Sequence, residues 1–90
     1  MLTTIRTGKF KKDFVRAEKR GKAINKLIEV MGMLIREEPL PPERRNHLLH
    51  GTWKGAFECH IEPDWLLIYE INPIAREVTF HRTGSHSDLY

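Results

Sequence analysis

The chain has almost no cysteine, no long apolar run and, in its first third, almost no acid. A single cysteine, Cys59, stands among ninety residues. It excludes a disulfide framework and a cysteine-based zinc site, and it suits a reducing, cytoplasmic setting. No apolar stretch approaches the roughly 18 residues of a membrane span, and the first residues lack a signal-peptide core. No membrane contact is expected. Repeats, low-complexity segments and linkers are missing too, so residues 1–90 are expected to form one domain. A chain this short buries only about 60–65% of its unfolded surface, which leaves one modest core.

The scarcity of acid is local. Before residue 27 only Asp13 and Glu18 stand against Arg6, Lys9, Lys11, Lys12, Arg16, Lys19, Arg20, Lys22 and Lys26. Net charge is +3 and the pI is near 9.2, values that permit a nucleic-acid partner without requiring one. A solvated helix face explains such a run equally well.

What is present is a change of period. Leu2 to Arg6 alternates weakly, as a short strand would. In "TGKFKKDFVRAEKRG", Phe10, Phe14 and Ala17 fall at helical spacing, with Thr7 as N-cap and Gly21 as stop. Ile24, Leu27, Ile28, Met31, Leu34 and Ile35 then predict an amphipathic helix over about 22–37, ended by "EEPLPP". Residues 39–55 read as loop. Phe57, Cys59 and Ile61 alternate with Glu58, His60 and Glu62, a half-buried strand. Trp65 to Ile71 is apolar on both faces and reads as a central strand after the turn "EPDW". Val78 and Phe80 mark a last strand, and "RTGSHSDLY" a polar tail. The expected fold is α+β, ordered β-α-α-β-β-β. Its small antiparallel sheet carries two N-terminal helices packed on one face. The other face is left for a site.

His60 has the opposite parity to Phe57, Cys59 and Ile61, so it faces that open side. Asp64 sits in the following turn, Arg82 ends the last strand and His86 lies just beyond it. In a meander these strand ends share one edge, and a folded-back loop can bring His47 or His50 to them. Arg82 has the parity of Val78 and Phe80, so it joins only if the strand ends or bends there. Neutral-capable bases, a carboxylate and a permanent cation suit phosphodiester chemistry on RNA. A base takes the 2′-hydroxyl proton, an acid protonates the departing 5′-oxygen, and a guanidinium offsets the phosphorane charge. The blander readings are surface histidines, a plain "PD" turn and core tryptophans. No histidine pair has the spacing of a zinc site, and Ser85 and Ser87 beside His86 lack a nucleophile elbow.

"HLLHGTWKGAFECHIEPDWLLIY" followed by "RTGSHSDLY" resembles the YafQ branch of the RelE/ParE toxin superfamily, along nearly the whole chain. That resemblance implies the toxin of a type II toxin–antitoxin pair. It implies an endoribonuclease, or mRNA interferase, that enters the ribosomal A site and cuts the messenger. It calls for no metal and no other cofactor. The family motif falls on His47, His60, Asp64 and His86, with Arg82 beside them. His60 or Asp64 is then the general base, His86 the general acid, and Arg82 holds the phosphate. His47 orients the messenger or shares proton transfer. Tyr90 falls where the family has a C-terminal aromatic, usually phenylalanine. Trp65 and Lys54 join it as substrate-binding candidates. The implied partners are a cognate antitoxin, the ribosome and messenger RNA, with operator DNA reached only through the antitoxin. Two rivals stand beside this reading: a ParE-like gyrase poison, and an A-site inhibitor that does not cut.

Overall fold

The structure is a computed structural model that describes residues 1–90. Strand β1 (Thr3–Arg6) leads into helices α1 (Gly8–Lys19) and α2 (Ile24–Ile35). Then come a two-residue strand β2 (His47–Leu48), the long strands β3 (Phe57–Glu62), β4 (Trp65–Asn72) and β5 (Glu77–Gly84), and a closing turn of helix α3 (His86–Leu89). The α+β class and the position of both long helices on one face agree with the reading above. Three details correct it. The sheet is mixed, in the order β1-β5-β4-β3-β2, with β1 parallel to β5. The predicted loop contains β2, which pairs with the start of β3. The predicted tail contains the end of β5 and α3.

Local chemistry explains the elements. Thr7 accepts the Phe10 amide at 3.0 Å, capping α1 as expected. Its hydroxyl also donates to the His81 carbonyl at 2.9 Å, which ties the start of α1 to β5. Gly21 takes a φ of 74° where the chain reverses between the helices, a conformation glycine adopts without strain. Phe10, Leu27 and Val30 from the helices meet Cys59, Leu67, Tyr69 and Phe80 from the sheet in one apolar cluster.

Two bulges set which residues face away from that cluster. On β5, Phe80 pairs with Tyr69 and Arg82 with Ile68, so His81 is the extra residue. A bulge shifts parity by one, and Arg82 therefore leaves the face of Val78 and Phe80. On β3, His60 pairs with Leu66 but Glu62 pairs with Trp65. This second bulge turns Glu62 to the helix side, where Lys26 and Lys22 meet it at 3.0 and 3.3 Å. The result is a row across four strands on the far face: His47, Glu58, Ile68 and Arg82 are successive cross-strand partners.

Candidate active site

Three imidazoles gather on the far face, from three different elements. β2 supplies His47, β3 supplies His60 and α3 supplies His86. The His47 and His60 rings are 6.5 Å apart between centroids, His60 and His86 6.2 Å, and His86 and Tyr90 6.3 Å. The arc closes through Glu58. Its Oε2 accepts from the Tyr90 hydroxyl at 2.5 Å, and its Oε1 lies 3.4 Å from His47 Nε2.

Each imidazole is anchored through the same nitrogen. His47 Nδ1 meets the Arg45 carbonyl at 2.7 Å, and His60 Nδ1 meets the Pro63 carbonyl at 3.1 Å. A carbonyl oxygen only accepts, so these contacts place the proton on Nδ1. His86 Nδ1 meets Asp64 Oδ1 at 2.8 Å, and the same oxygen accepts the His86 amide at 3.0 Å. Those bonds, the amide first and the ring second, hold the Asp64 carboxyl below its ordinary range. Asp64 is therefore an ionised acceptor that orients His86. In the neutral rings Nε2 is left as the lone-pair nitrogen, free to exchange a proton.

The turn that carries His86 is short and firmly tied. Ser85 and Asp88 form a capping box, and Arg20 from α1 grips Asp88 at 2.6 and 3.1 Å. The Arg20 hydrogen bond, with help from the Ser85 amide, pulls the Asp88 carboxyl well below the usual carboxylate range. Gly84 has no room for a side chain there: a Cβ would stand 2.9 Å from Asp88 Cβ.

The other predicted residues are placed differently. Arg82 lies on the correct face, but Nε and Nη2 donate to Asp13 at 2.6 and 3.2 Å. Asp13 is 4% exposed and also takes the Thr83 amide and Arg16. Arg82 is thus fixed at the rim by α1, outside the imidazole arc. Trp65 corrects the sequence reading. It is 1% exposed, its Nε1 donates to Thr83 Oγ1 at 2.9 Å, and it belongs to the core. It has no free face for a base. Lys54 follows the short turn Gly51–Trp53 ahead of β3, while His60 lies three residues into that strand, about 10 Å from Phe57 at strand rise. It is outside the arc as well. His81, the bulge residue, pairs with Glu70 at 3.0 Å under Trp53, away from the arc. Burial, above all, pushes the Cys59 thiol up to about 12, which leaves it inert. Glu58 was missed by sequence reasoning. Its parity matched His60, but an acid on an open face reads as solvated, whereas this one is 5% exposed.

A cleft of about 440 Å³ runs beside Asp64 along the seam between α1 and the sheet. Asp13, Arg16, Arg20, Lys22, Glu62 and Ser85 are among the residues that line it. No helix is long and apolar enough to cross a membrane.

Comparison with known proteins names the family. Residues 2–90 match the family described as "Bacterial toxin of type II toxin-antitoxin system, YafQ". The mRNA interferase toxin YafQ of Escherichia coli K12 is 42% identical over 85 residues, covering 93% of this chain and 90% of the relative. The crystal structure of YafQ from E. coli BL21(DE3) superposes with a TM-score of 0.94 at 38% identity, covering 100% of this chain and 99% of that one. A crystal structure of the E. coli DinJ–YafQ complex gives 0.92 at 40% identity with the same coverage. A metal-bound toxin from Helicobacter pylori gives 0.94 at 40% identity over the whole of both chains. The chain belongs to the YafQ family of toxins of type II toxin–antitoxin systems.

Proposed function

We propose that this toxin is an mRNA endoribonuclease that cuts messenger in the ribosomal A site by acid–base transesterification. The observation that carries the reading is the arc of imidazoles, each anchored at Nδ1, with Nε2 of His60 and His86 left open and that of His47 facing Glu58. Centroid spacings of 6.2 and 6.5 Å let one ring stand on either side of a phosphodiester. His60 takes the proton of the 2′-hydroxyl as general base. The 2′-oxygen attacks phosphorus, and His86, entering as the imidazolium held at Nδ1 by Asp64, gives its Nε2 proton to the departing 5′-oxygen as the P–O5′ bond breaks. The products are a 2′,3′-cyclic phosphate and a free 5′-hydroxyl. His47 steadies the developing charge. Arg82, fixed by Asp13, adds positive potential from the rim. These groups are sufficient for proton transfer without calling on a metal.

Ribosome dependence follows from how little the site offers to a base. Trp65 is buried, and beside its imidazoles the arc offers a base only the Tyr90 ring. A substrate so weakly gripped needs positioning from elsewhere, and positioning is worth many orders of magnitude in rate. Arg6, Lys9, Lys11, Lys12 and Lys19 suit that docking. All are exposed and have no carboxylate partner. They can meet ribosomal RNA through its phosphates. A cognate antitoxin is the proposed protein partner, as in the DinJ–YafQ complex.

The direct test is His86→Ala, which keeps the backbone bond to Asp64. Primer extension on messenger from expressing cells should show in-codon cuts for the parent. The variant should lose roughly 10²–10⁴ in rate. Undiminished cutting by a folded His86→Ala protein would remove the acid role. Intact messenger on stalled ribosomes in the parent would instead leave an A-site inhibitor.

A further inference from the structure

We infer that the pocket beside His60, walled by the short helical turn Pro42–Arg44 and by Arg45, holds the RNA phosphate on the 5′ side of the scissile one, with Arg45 as its free guanidinium. This deepens the cleavage reading and rests on it. The pocket measures about 270 Å³, and Arg44, Arg45, His60 and Pro63 are among the residues that line it. After Lys26 every lysine and arginine has a carboxylate partner except Arg44, Arg45 and Lys54: Arg36 holds Glu38, Arg76 holds Glu37 and Arg82 holds Asp13. All three exceptions lie in the segment that carries His47. Arg82 is committed to Asp13 and cannot leave the rim to grip a neighbouring phosphate.

Local structure builds the pocket. Ile61 is the extra residue of the β3 bulge, and its carbonyl accepts from Arg44 Nη1 at 2.8 Å. Arg44 thus pins the turn against β3, while its Nε is buried with no acceptor in the chain. An unmet donor of this kind is rare, and it adds to the pull of this wall on an anion. Arg45 follows at a φ of 51°, a left-handed backbone that glycine or asparagine adopts with less strain. Strain held in this way points to function. The conformation gives one residue two contacts. Its carbonyl holds His47 Nδ1 at 2.7 Å, and its side chain stands exposed at the pocket, in no ion pair. Two acids face the pocket as well: Glu62 is met by Lys26 and Lys22, and Glu43 is exposed and unpaired. Apart from His60 no aromatic ring lines the pocket, so it suits a phosphate and not a stacked base. The roles of the rings give the direction. His60 serves the 2′-hydroxyl, which belongs to the nucleotide on the 5′ side of the cut. The pocket touches His60 and not His86, so that side of the strand lies in it.

Two 2′-deoxy dinucleotides, which lack the attacking hydroxyl and cannot be cut, serve as probes. One ends at its 5′ side in a hydroxyl, the other in a methyl phosphate diester. Each is titrated into the whole protein and followed by the arginine Nε–H and backbone amide resonances. The parent should bind the methyl phosphate compound about fivefold tighter or more. Arg45→Gln, which keeps the carbonyl bond to His47, should erase that preference, and Arg45→Lys should restore part of it. Glu43→Gln should enlarge it, because it removes the acid beside the guanidinium. On a translated reporter messenger with purified ribosomes, Arg45→Gln should raise KM more than it lowers kcat, since the charge of this phosphate does not change in the reaction. Equal affinity of the parent for the two probes, no saturable shift with either, or a preference retained in Arg45→Gln overturns the inference. A raised KM on ribosomes without that preference assigns Arg45 to ribosomal RNA and overturns it equally. Arg45→Gly, the residue that a φ of 51° suits best, carries the test if Arg45→Gln fails to fold. His86→Ala separates the two readings. If it cuts at the parental rate, the cleavage reading fails instead, and the probe titration alone decides whether the pocket takes an RNA phosphate.

Discussion

On one side of the sheet, Phe10, Leu27, Val30, Leu67 and Phe80 interlock in a cluster with scarcely a polar atom. On the other side, hydrogen bonds set each ring: His47 by the Arg45 carbonyl, His60 by the Pro63 carbonyl, His86 by Asp64 and Tyr90 by Glu58. The first side rests on area removed from water, which is non-directional and tolerant of small shifts. The second rests on bond lengths and ring planes, where small shifts matter. They meet at the edge where β1 stops. There α1 reaches across with Asp13 to Arg82 and with Arg20 to Asp88. Stability and chemistry should therefore respond to different substitutions.

The largest break comes from the core. Phe80→Ala empties a fully buried site beside Phe10, whose ring is 5.7 Å away. Urea denaturation should show a loss of about 3–5 kcal/mol. Once rates are corrected for the folded fraction, cleavage per molecule should stay within about twofold, since no ring of the arc touches Phe80. A large loss per folded molecule would show that the two faces are coupled.

Gly84→Ala should do the reverse. A Cβ at that position meets Asp88 Cβ and Oδ2 at 2.9 Å and Arg16 Nη2 at 3.2 Å. Arg16 can swing aside, but Asp88 is part of the capping box and can move only with α3. Overpacking of this kind costs about 1–3 kcal/mol, less than the cavity at Phe80. The cleavage rate should nevertheless fall at least tenfold, because His86 and Tyr90 move with the turn. Retained activity would mean that α3 is positioned by something other than the Asp88 contacts.

The same division decides what was legible in the sequence. The helix face is periodic, so Phe10, Leu27, Leu34, Cys59 and Phe80 identify themselves by spacing. The α+β class follows from those residues. β2 is two residues long and has no period to read. Parallel pairing of β1 with β5 is a long-range choice that local pattern does not encode. On the site face, His60 declared itself by parity, and Asp64 and His86 by the expected meeting of strand ends. Arg82 had the wrong parity until a bulge at His81 corrected it, and a bulge leaves no reliable mark in one sequence. Glu58 failed because its burial depends on Tyr90 of the closing turn, and alternation along β3 contains no information about that turn; Trp65 stands at a turn, where period alone does not say that its ring folds into the helix-side cluster.

The smallest effect isolates the tie between α1 and α3. Asp88 has a folded carboxyl well below its ordinary 3.8, chiefly through Arg20 and then the Ser85 amide. A depressed folded value means stabilisation that is present above the unfolded value and lost as pH falls toward the folded one. Asp88→Asn can still accept in the capping box but lacks the charge. Parent and variant should therefore differ slightly in Tm at neutral pH, with the parent higher. The gap should begin to close as pH falls through about 4 and be nearly gone in strong acid. Asp64, also depressed in the fold, is present in both proteins and cancels in the comparison. Hydrogen exchange of the 85–90 amides should follow the same curve while the core amides of β4 stay protected. If β4 loosens together with the turn, the apolar face and the site face unfold as one unit, and the separation drawn between them is wrong.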